Sequence, residues 1–382
     1  MRILTVSSCP LDPLLGSGKT RLRWSEGLRG LGHEVDVLEP RDFELWHGTK
    51  RALRFRLALG AVTAVRSRLL QRDYDLVEFF GGEFGLATKR LARGSQRPLI
   101  VAHTDGFELL ASERERAYDP LPRTLAGSFR RWYRDQTHDR LSIAAFRYAD
   151  AFVTGCELDR RRVMEMRLFR SERTAVISPG LDDEYLAARS ESPNEKRIAY
   201  VGSWISRKGI GKTVEVMNLV LAERPELRLD LYGTGGGVTV LGSFSPAVRS
   251  QIAVHGRLTN REVADGLTRA SVFFFPSQYE GFGMALAEAM ACGCAPVTTP
   301  TGFGAELRNG EEALVCGFDD TPAMGRAIRA LLDDNSLRAR IAAAARNRVR
   351  TLAWETQIGK LEATYRSWLE TSVMAGKRRV SA

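Results

Sequence analysis

The sequence predicts an α/β protein made of two doubly wound domains, each with a parallel sheet covered by helices on both faces. Its 382 residues fit two domains of ordinary size, at roughly 100–200 residues per domain. Short apolar runs alternate with segments of helical periodicity along most of the chain, which favours parallel sheets. The alternation stops in a polar, turn-rich stretch at residues 187–195 and then restarts, so we place a linker there.

The first domain is predicted to cover residues 1–186. It opens with a strand at 2–6, a loop rich in Ser, Pro and Gly, a helix at 19–31 and a second strand at 34–38. A β-loop-α-β unit of this kind is typical of the start of nucleotide-binding domains. The remaining predicted strands are short apolar runs at 76–80, 99–103, 151–154 and 174–178.

The second domain is predicted to cover residues 196–355. Its strands are predicted at 197–201, 227–232, 253–255, 271–275, 295–298 and 313–315, and its helices at 209–222, 263–270 and 284–292. Residues 356–382 are predicted to form a C-terminal helix, which we expect to pack back on the N-terminal domain, and a basic tail. Two such domains leave a cleft between them, and open α/β sheets bind ligands at the carboxyl ends of their strands.

The formal net charge of +10 points either to an anionic partner or to an Arg-rich composition without functional meaning. No apolar run approaches the ~20 residues of a membrane-spanning helix, and the N-terminus lacks the long apolar region of a signal peptide. The five cysteines include no CxxC pair, which excludes a disulfide framework and a zinc site and fits a reducing compartment. We therefore expect a cytoplasmic protein.

The segment from Gly16 to Thr20 (GSGKT) is similar to the end of a phosphate-binding P-loop. The first glycine of that motif would fall on Pro13, which has no N–H to donate to a phosphate. A P-loop nucleotide-binding protein is thus a remote alternative; a Gly-rich loop that approaches a ligand and a plain tight turn are the other interpretations. Asp73-Tyr74-Asp75 matches a D-x-D metal signature, but its position before a buried strand favours a turn, so we predict no metal site.

The most informative segment follows the apolar strand at 271–275 and carries Glu280 in a loop and Glu288 in the next helix. A diphosphate binds favourably to N–H groups at the positive end of a helix. The residues that supply those groups here are Gly281, Phe282, Gly283 and Met284. A carboxylate accepts hydrogen bonds from two adjacent hydroxyls, so Glu280 suits a sugar and Glu288 a ribose. The alternative is a capped helix with one solvated Glu, but Glu288 lies in an Ala- and Met-rich helix, where an unpaired carboxylate is costly.

This segment resembles the E-x7-E motif of retaining glycosyltransferases of the GT-B fold, in particular glycosyltransferase family 4. Further segments resemble motifs of that family in the same order along almost the whole chain, which is more specific than E-x7-E alone. They are the N-terminal strand and loop with residues 32–35, then 177–182, 201–209, 275–277 and 301–306. The resemblance implies the GT-B fold, in which two Rossmann-like domains face an interdomain cleft. It also implies a nucleotide-diphosphate sugar as co-substrate, with no cofactor required.

The resemblance implies roles for individual residues. Lys208 matches the family lysine that contacts the donor diphosphate, where a cation stabilises the charge that grows on the leaving group. The family arginine falls on Ser203, and Arg207 beside Lys208 is expected to replace it. His103, at the end of a predicted strand, matches a histidine near the donor sugar; a hydrogen-bonded structural histidine is the alternative.

For the reaction, the resemblance implies transfer with retained anomeric configuration, in which the leaving diphosphate itself accepts the proton of the acceptor. Gly16 and Gly18 match a loop that faces the donor phosphates and the acceptor. The acceptor is expected to be a saccharide, a lipid-linked molecule or a small molecule. A nucleotide-sugar epimerase and a phosphorylase on the same architecture are the alternatives.

The basic residues cluster at residues 47–72, which contain seven Lys or Arg and no acidic residue. Apolar residues interleave at near-helical spacing, namely Leu53, Leu57, Ala61, Val65 and Leu69. The pattern predicts either a basic amphipathic helix on an anionic membrane surface or a solvated helix packed on the core. A second stretch, 129–134, mixes aromatic residues with Arg. No nucleic-acid-binding module is visible, so we expect peripheral association with the inner membrane face rather than with nucleic acid.

Overall fold

The computed structural model describes residues 1–13, 16–46, 52–94, 97–118, 124–188 and 194–380. The chain divides into two compact units: unit 1 is Met1–Gly180 with Trp354–Ala382, and unit 2 is Leu181–Ala353. The predicted linker at 187–195 lies mostly outside the described residues. The units are divided next to residues 180 and 353, a few residues before the predicted boundaries at 186 and 355.

The strands are short apolar segments, and most of their residues are buried on both sides, as parallel sheets require. Those of unit 1 are β1 (Arg2–Ser7), β2 (Glu34–Leu38), β3 (Leu76–Phe80), β4 (Leu99–Thr104), β5 (Ala151–Thr154) and β6 (Thr174–Val176). Those of unit 2 are β7 (Asn194–Val201), β8 (Arg228–Tyr232), β9 (Ile252–Val254), β10 (Ala270–Phe275), β11 (Ala295–Thr298) and β12 (Leu314–Val315).

Helices connect most of these strands. Along unit 1 they are α1 (Gly16–Gly30), α2 (Pro40–Phe43), α3 (Leu53–Gln71), α4 (Gly85–Leu91), α5 (Glu108–Tyr118), α6 (Leu125–Arg134), α7 (Arg140–Arg147) and α8 (Glu157–Glu165). Unit 2 contains α9 (Asp183–Leu186), α10 (Ile210–Glu223), α11 (Gly237–Gly242), α12 (Asn260–Thr268), α13 (Met284–Ala291), α14 (Thr321–Asp333) and α15 (Asn335–Val349). The chain then returns to unit 1 as α16 (Trp354–Val380).

The sheet of unit 1 has the strand order β2-β1-β3-β4-β5-β6 within the described residues, and its strands pair in parallel. One face carries α1 and α16, whose Trp24 and Tyr365 belong to the same apolar cluster. A Cβ on Gly27 of α1 would lie 2.2 Å from Cδ1 of Ile358, so the absence of a side chain lets these two helices approach closely. The other face is covered by α3 and α4.

The sheet of unit 2 has the order β12-β11-β10-β7-β8-β9 within the described residues, again with parallel pairs. Helices α10 and α14 pack on one face, and α12, α13 and α15 pack on the other. The order reverses at the neighbouring strands β7 and β10, so the connections from their carboxyl ends diverge to opposite faces of the sheet. The predicted two-domain α/β class is confirmed.

The start of α1 differs from the prediction, because the helix begins at Gly16 rather than at Lys19. Gly18 therefore lies in the first turn, where a Cβ would come within 2.6–2.8 Å of backbone atoms of Pro10 and Asp12. The loop that precedes the helix packs directly on this glycine. Since a glycine signals a turn as readily as such a close approach, sequence reasoning placed the helix start too late.

Candidate functional site

The point where the strand order of unit 2 reverses is the place at which open α/β sheets bind ligands. The connection after β7 runs through residues 202–209, and the connection after β10 runs through residues 276–283. Their backbones are joined directly, since the N–H of Gln278 donates to the carbonyl oxygen of Arg207 at 2.8 Å. The two connections thus form one structure at the carboxyl edge of the sheet.

Glu280 is the centre of this structure and is only 5% exposed. The ammonium group of Lys208 donates to its two carboxylate oxygens at 2.7 and 2.9 Å. The hydroxyl of Ser277 donates to Oε1 at 2.6 Å, and the Glu280 N–H donates to Oγ1 of Thr301 at 2.8 Å. The carboxylate is therefore held in one orientation by the protein itself.

Arg207 supplies a second cation at the same carboxylate. One of its guanidinium nitrogens lies 3.7 Å from Oε2 of Glu280 and donates to the carbonyl oxygen of Tyr279 at 3.0 Å. Its side chain is 40% exposed and that of Lys208 is 16% exposed, so both cations reach solvent at this edge. Ser203, which stands where the family arginine is expected, is exposed in the same connection. Two cations face one carboxylate, which leaves a net positive charge.

Two glycines allow close backbone packing here: Gly209 lies between the two connections, and Gly302, in the segment after β11, packs on the second connection. Gly209 has φ +71°, and a Cβ there would lie 2.0 Å from the carbonyl oxygen of Pro276. Gly302 has φ +51°, and a Cβ there would lie 2.5 Å from the carbonyl oxygen of Phe282. Any other residue at either position would meet both backbone strain and a clash. The two glycines therefore allow the backbone segments around Lys208 and Glu280 to pack closely.

The start of α13 lies directly beyond Glu280. Gly283 caps this helix with φ +99°, and the first N–H groups of the helix have no acceptor within it. The Phe282 ring is buried and stacks on the Phe303 ring, with 5.1 Å between the ring centroids, so the ring is not accessible to a ligand. Residues 281–284 thus lie where the sequence predicted them, at the positive end of a helix.

Glu288 lies in α13, about one turn or roughly 6 Å along the helix axis from Met284, the first residue of the helix. Glu288 is buried, and Cys292, which caps the end of this helix, donates its backbone N–H to the Glu288 carbonyl oxygen at 3.1 Å. The Glu288 charge acts on the ionisation of both Cys292 and Tyr185. Burial, and then the Glu288 charge, raise the pKa of Cys292 to about 12 and the pKa of Tyr185 well above its usual value. Both groups therefore stay protonated beside the carboxylate. The assignment of Glu288 to a ribose stays a prediction.

His103 lies in unit 1, where it is 1% exposed. Its Nε2 lies 2.6 Å from the hydroxyl oxygen of Tyr365 and 3.3 Å from Oε2 of Glu78. The Tyr365 hydroxyl donates to Glu78, so Nε2–H of His103 is the group that donates to the tyrosine oxygen. Thr5 donates to the other Glu78 oxygen at 2.5 Å. This is the geometry of the hydrogen-bonded structural histidine that the sequence left open; the catalytic role of His103 stays a prediction.

The GSGKT segment adopts the first turns of α1. Gly18 packs on the backbone of residues 10–12, and Lys19 is buried in the helix. The close approach that requires a glycine is thus made by the chain's own loop. Gly16 has open space where a Cβ would lie. That the two glycines face donor phosphates stays a prediction.

The side chains of Tyr74 and Asp75 in the Asp73-Tyr74-Asp75 motif form hydrogen bonds with residues of β1 and β2 at the edge of the sheet. The Tyr74 hydroxyl donates to Asp36 at 2.5 Å, and Asp75 accepts from the Arg2 N–H at 2.7 Å. Burial and the Asp36 contact raise the pKa of Tyr74 to about 12. No group of three or more His, Cys, Asp or Glu side chains is arranged to hold a metal ion within the described part of the chain.

Most of the apolar stripe of the basic segment packs inside unit 1 and is not accessible to a membrane. Leu57, Ala61 and Val65 of α3 are buried in the core of unit 1. Arg56 is buried as well and forms an ion pair with Glu44 at 2.9 Å. Residues 47–51 lie outside the described residues. In the described ranges, no helix is long and apolar enough to cross a membrane.

Several apolar side chains of α3 and α6 are exposed, and Leu53, a member of the stripe, is one of them. They are Leu53, Phe55, Leu59 and Leu70 of α3, and Phe129, Trp132 and Tyr133 of α6. The second aromatic stretch found in the sequence thus has exposed rings, whereas the apolar residues named in the first are mostly core residues.

Two family profiles match the chain, "Glycosyltransferase Family 4" over residues 16–185 and "Glycosyl transferases group 1" over residues 182–348. Together they cover most of its length. The chain is a family 4-like glycosyltransferase. The predicted resemblance is therefore confirmed.

Two curated members of the family differ in how much of the chain they match. Glycogen synthase of Mycobacterium tuberculosis (strain CDC 1551 / Oshkosh) is 30% identical over 187 residues, which are 47% of this chain and 45% of that protein. Phosphatidyl-myo-inositol mannosyltransferase of Mycolicibacterium smegmatis is 22% identical over 390 residues, 96% of this chain and 93% of that protein. The chain spans about half the length of several of the curated relatives that it matches.

Among solved structures, sucrose-phosphate synthase from Thermosynechococcus elongatus matches with a TM-score of 0.75 at 19% sequence identity. The match covers 97% of this chain and 100% of that one. This likeness concerns the fold, and it confirms the predicted GT-B architecture of two Rossmann-like domains.

Sequence reasoning placed the residues of the unit 2 site correctly relative to their elements but missed two of its members. Ser277 and Thr301 lie in segments that resemble family motifs, so a signal for both was present. Glu78 and Tyr365 were missed as partners of His103, and no local signal marks them, since they are 287 residues apart.

Proposed function

We propose that the chain transfers a sugar from a nucleotide-diphosphate sugar to an acceptor with retention of the anomeric configuration. The observation that carries this proposal is the pair of Lys208 and Glu280 at the strand-order reversal of unit 2, beside the start of α13. It unites a cation, a fixed carboxylate and helix N–H groups, which are the groups that a diphosphate and a sugar require.

In this proposal the donor diphosphate binds to Lys208, Arg207 and the N–H groups of residues 281–284. The Lys208 ammonium then exchanges part of its contact with Glu280 for phosphate oxygens, and the carboxylate accepts hydrogen bonds from sugar hydroxyls. Glu288 accepts from the ribose hydroxyls. Because the cations meet a leaving group whose charge grows as the glycosidic bond breaks, they stabilise the transition state more than the bound donor.

The proton of the acceptor hydroxyl passes to the leaving diphosphate on the same face of the sugar, which accounts for retention without a protein base. The new glycosidic bond forms as the bond to the diphosphate breaks, and the nucleoside diphosphate leaves with the proton. No metal or cofactor takes part in this scheme, and the buried position of His103 is compatible with it.

A thermal-shift panel of UDP-, GDP-, ADP- and TDP-sugars tests the donor. Binding at 100-fold excess over Kd stabilises the folded state by roughly 3 kcal/mol, which is a clear shift of the unfolding midpoint. Lys208→Met should weaken donor binding by at least about tenfold, because a hydrogen-bonded charge contributes about 1.5–3 kcal/mol.

Lys212→Met is the matched control, since Lys212 lies one turn later on α10 and pairs with Asp319 at 3.8 Å. If none of the sugar nucleotides stabilises the wild-type chain, the donor proposal is wrong. Release of a nucleoside diphosphate only in the presence of an acceptor distinguishes a transferase from an epimerase.

We also propose that unit 1 associates peripherally with an anionic membrane surface. The exposed rings of Phe129, Trp132 and Tyr133 on α6 support this, because aromatic side chains favour the membrane interface. The test is co-sedimentation with vesicles that contain phosphatidylglycerol, at low and high salt. The wild-type chain should sediment with the vesicles, and most of the Trp132→Ser variant should stay in the supernatant. Leu219→Ser, at an exposed leucine of unit 2, is the control; equal sedimentation of all three proteins would refute the proposal.

A further inference from the structure

A groove of about 600 Å³ lies in unit 1 at the amino-terminal ends of β3 and β4. Its walls come from the carboxyl-terminal halves of α3 and α4. The volume falls within the roughly 300–1,000 Å³ of small-molecule sites. The groove lies at the edge of the sheet opposite to the strand carboxyl ends, and no residue assigned to the transfer reaction lines it.

The groove is mainly apolar. Its apolar lining consists of Val62, Val65, Leu69, Leu70, Tyr74, Ala87, Leu91 and Pro98. Val65 and Ala87 are buried at the core side, whereas Leu70 is 77% exposed. A hydrocarbon chain along this surface would remove apolar area from water, at roughly 25 cal/mol per Å².

Four arginines also line the groove, and two of them are fully engaged. Arg97 pairs with both carboxylate oxygens of Asp150 at 2.5 and 2.8 Å. Arg72 pairs with Glu34 and, at 3.3 Å, with Asp36. These two guanidinium groups belong to the architecture of the sheet edge.

The other two, Arg66 and Arg90, are exposed and have no carboxylate partner among the described residues. The lining contains one carboxylate, that of Asp73, and no ion pair joins it to either arginine within the described ranges. Two unpaired guanidinium groups therefore border an apolar groove, and a guanidinium binds phosphate or carboxylate oxygens in bidentate fashion.

We propose that this groove binds the acyl chain of an anionic lipid, with the lipid phosphate held between Arg66 and Arg90. The combination of an apolar surface and a free cationic rim matches a ligand with one hydrocarbon chain and one anionic group. This inference goes beyond the proposed transfer reaction, because the site is separate from Lys208 and Glu280 and its occupancy requires no sugar donor.

The test uses the full chain and 1-oleoyl lysophosphatidate, kept below its micelle concentration, in isothermal titration calorimetry. We expect saturable binding with a stoichiometry of about one. Glycerol 3-phosphate, which has the phosphate without the chain, and monooleoylglycerol, which has the chain without the phosphate, should each bind at least about tenfold more weakly. Absence of lysophosphatidate binding, or equal affinity for glycerol 3-phosphate, would overturn the proposal.

Three variants locate the site. Arg66→Gln/Arg90→Gln and Leu70→Glu should each weaken lysophosphatidate binding at least about tenfold, the second by placing a negative charge beside the phosphate. Arg93→Gln, an exposed arginine just after α4 that does not line the groove, should bind within about twofold of wild type. The substituted residues are exposed, so folding should be preserved. Wild-type affinity in the double arginine variant would overturn the proposal.

Discussion

Glu78 in unit 1 and Glu280 in unit 2 are both almost fully buried carboxylates, yet their partners differ in kind. Glu78 accepts hydrogen bonds from Thr5 and Tyr365, and His103 is its third neighbour; each of these groups is buried. Glu280 is held by the ammonium of Lys208, which reaches solvent at the edge of the sheet.

The two carboxylates differ in whether a ligand could replace one of their hydrogen-bond partners. The contacts of Glu78 join β1, β3, β4 and α16, so breaking them loosens the packing of the C-terminal helix. The contacts of Glu280 lie in loops at the reversal of strand order, and a charged ligand can compete for the cation. The accessible charged partner of Glu280 therefore favours a binding role for this carboxylate, and the buried neutral partners of Glu78 favour a structural one.

The largest expected effect is that of Glu280→Gln on turnover. The amide keeps the size of the side chain but loses the charge, and it turns an N–H toward Lys208 or the sugar hydroxyls. We expect kcat to fall by about 10²-fold or more, the usual scale for a lost group that stabilises the transition state. Steady-state kinetics with the donor found in the thermal-shift panel measures this.

The control for Glu280→Gln is Glu226→Gln, at an exposed glutamate of the same unit, which should keep wild-type kcat. Undiminished turnover by the Glu280 variant would contradict a catalytic role for Glu280 and would leave it, like Glu78, with a structural role.

Tyr365→Phe should act on stability instead. It removes the hydroxyl that donates to Glu78 and accepts from His103, and leaving such buried groups unpaired costs about 1–3 kcal/mol. At roughly 2–4 °C per kcal/mol for a unit of this size, the thermal midpoint should fall by several degrees. Donor affinity, which the proposed function assigns to unit 2, should stay within about twofold. A loss of donor affinity with an unchanged midpoint would assign this network to the reaction.

Gly302→Ala should reduce kcat by about tenfold, because a Cβ at φ +51° would lie 2.5 Å from the carbonyl oxygen of Phe282 and displace residues next to Glu280. Gly256→Ala is the matched control in the same unit, since its surroundings are open where a Cβ would lie. Kinetics and thermal unfolding of both variants are compared. Equal kcat in the two would show that the Glu280 loop tolerates displacement.

The smallest effect concerns a third carboxyl, Glu108 of unit 1. Desolvation and the nearby Glu83 charge raise the pKa of Glu108 to about 8, from a usual value of 4.5. Between these values the folded protein keeps a proton that the unfolded chain releases, so the free energy of unfolding falls as pH rises through this window.

Glu108→Gln keeps an acceptor for the Gly82 N–H, which donates to Oε1 at 2.8 Å, but cannot ionise. The variant should therefore lose less stability than wild type between pH 5 and 8, measured as thermal midpoints across that range. Parallel pH profiles for the two proteins would contradict the assignment.

The sequence by itself determined the α/β class, because short, mainly apolar segments such as Leu76–Phe80 and Ala270–Phe275 alternate with segments of helical periodicity, as in parallel sheets covered by helices. It also predicted that Glu280 lies in a loop and that residues 281–284 lie at the start of the helix that follows, since one local motif contains both the loop and the helix. The ends of elements were less well determined, as the start of α1 at Gly16 rather than Lys19 illustrates.

The tertiary structure decided which charged and polar groups meet. It placed Lys208 on Glu280 across 72 residues of chain and Tyr365 on Glu78 across 287. It also directed Leu57, Ala61 and Val65 into the core while leaving the rings of α6 exposed. Periodicity gives a helix an apolar face but does not say what covers it, and the composition of a segment does not say which of its charges are paired. Both depend on neighbours that only the folded chain brings together.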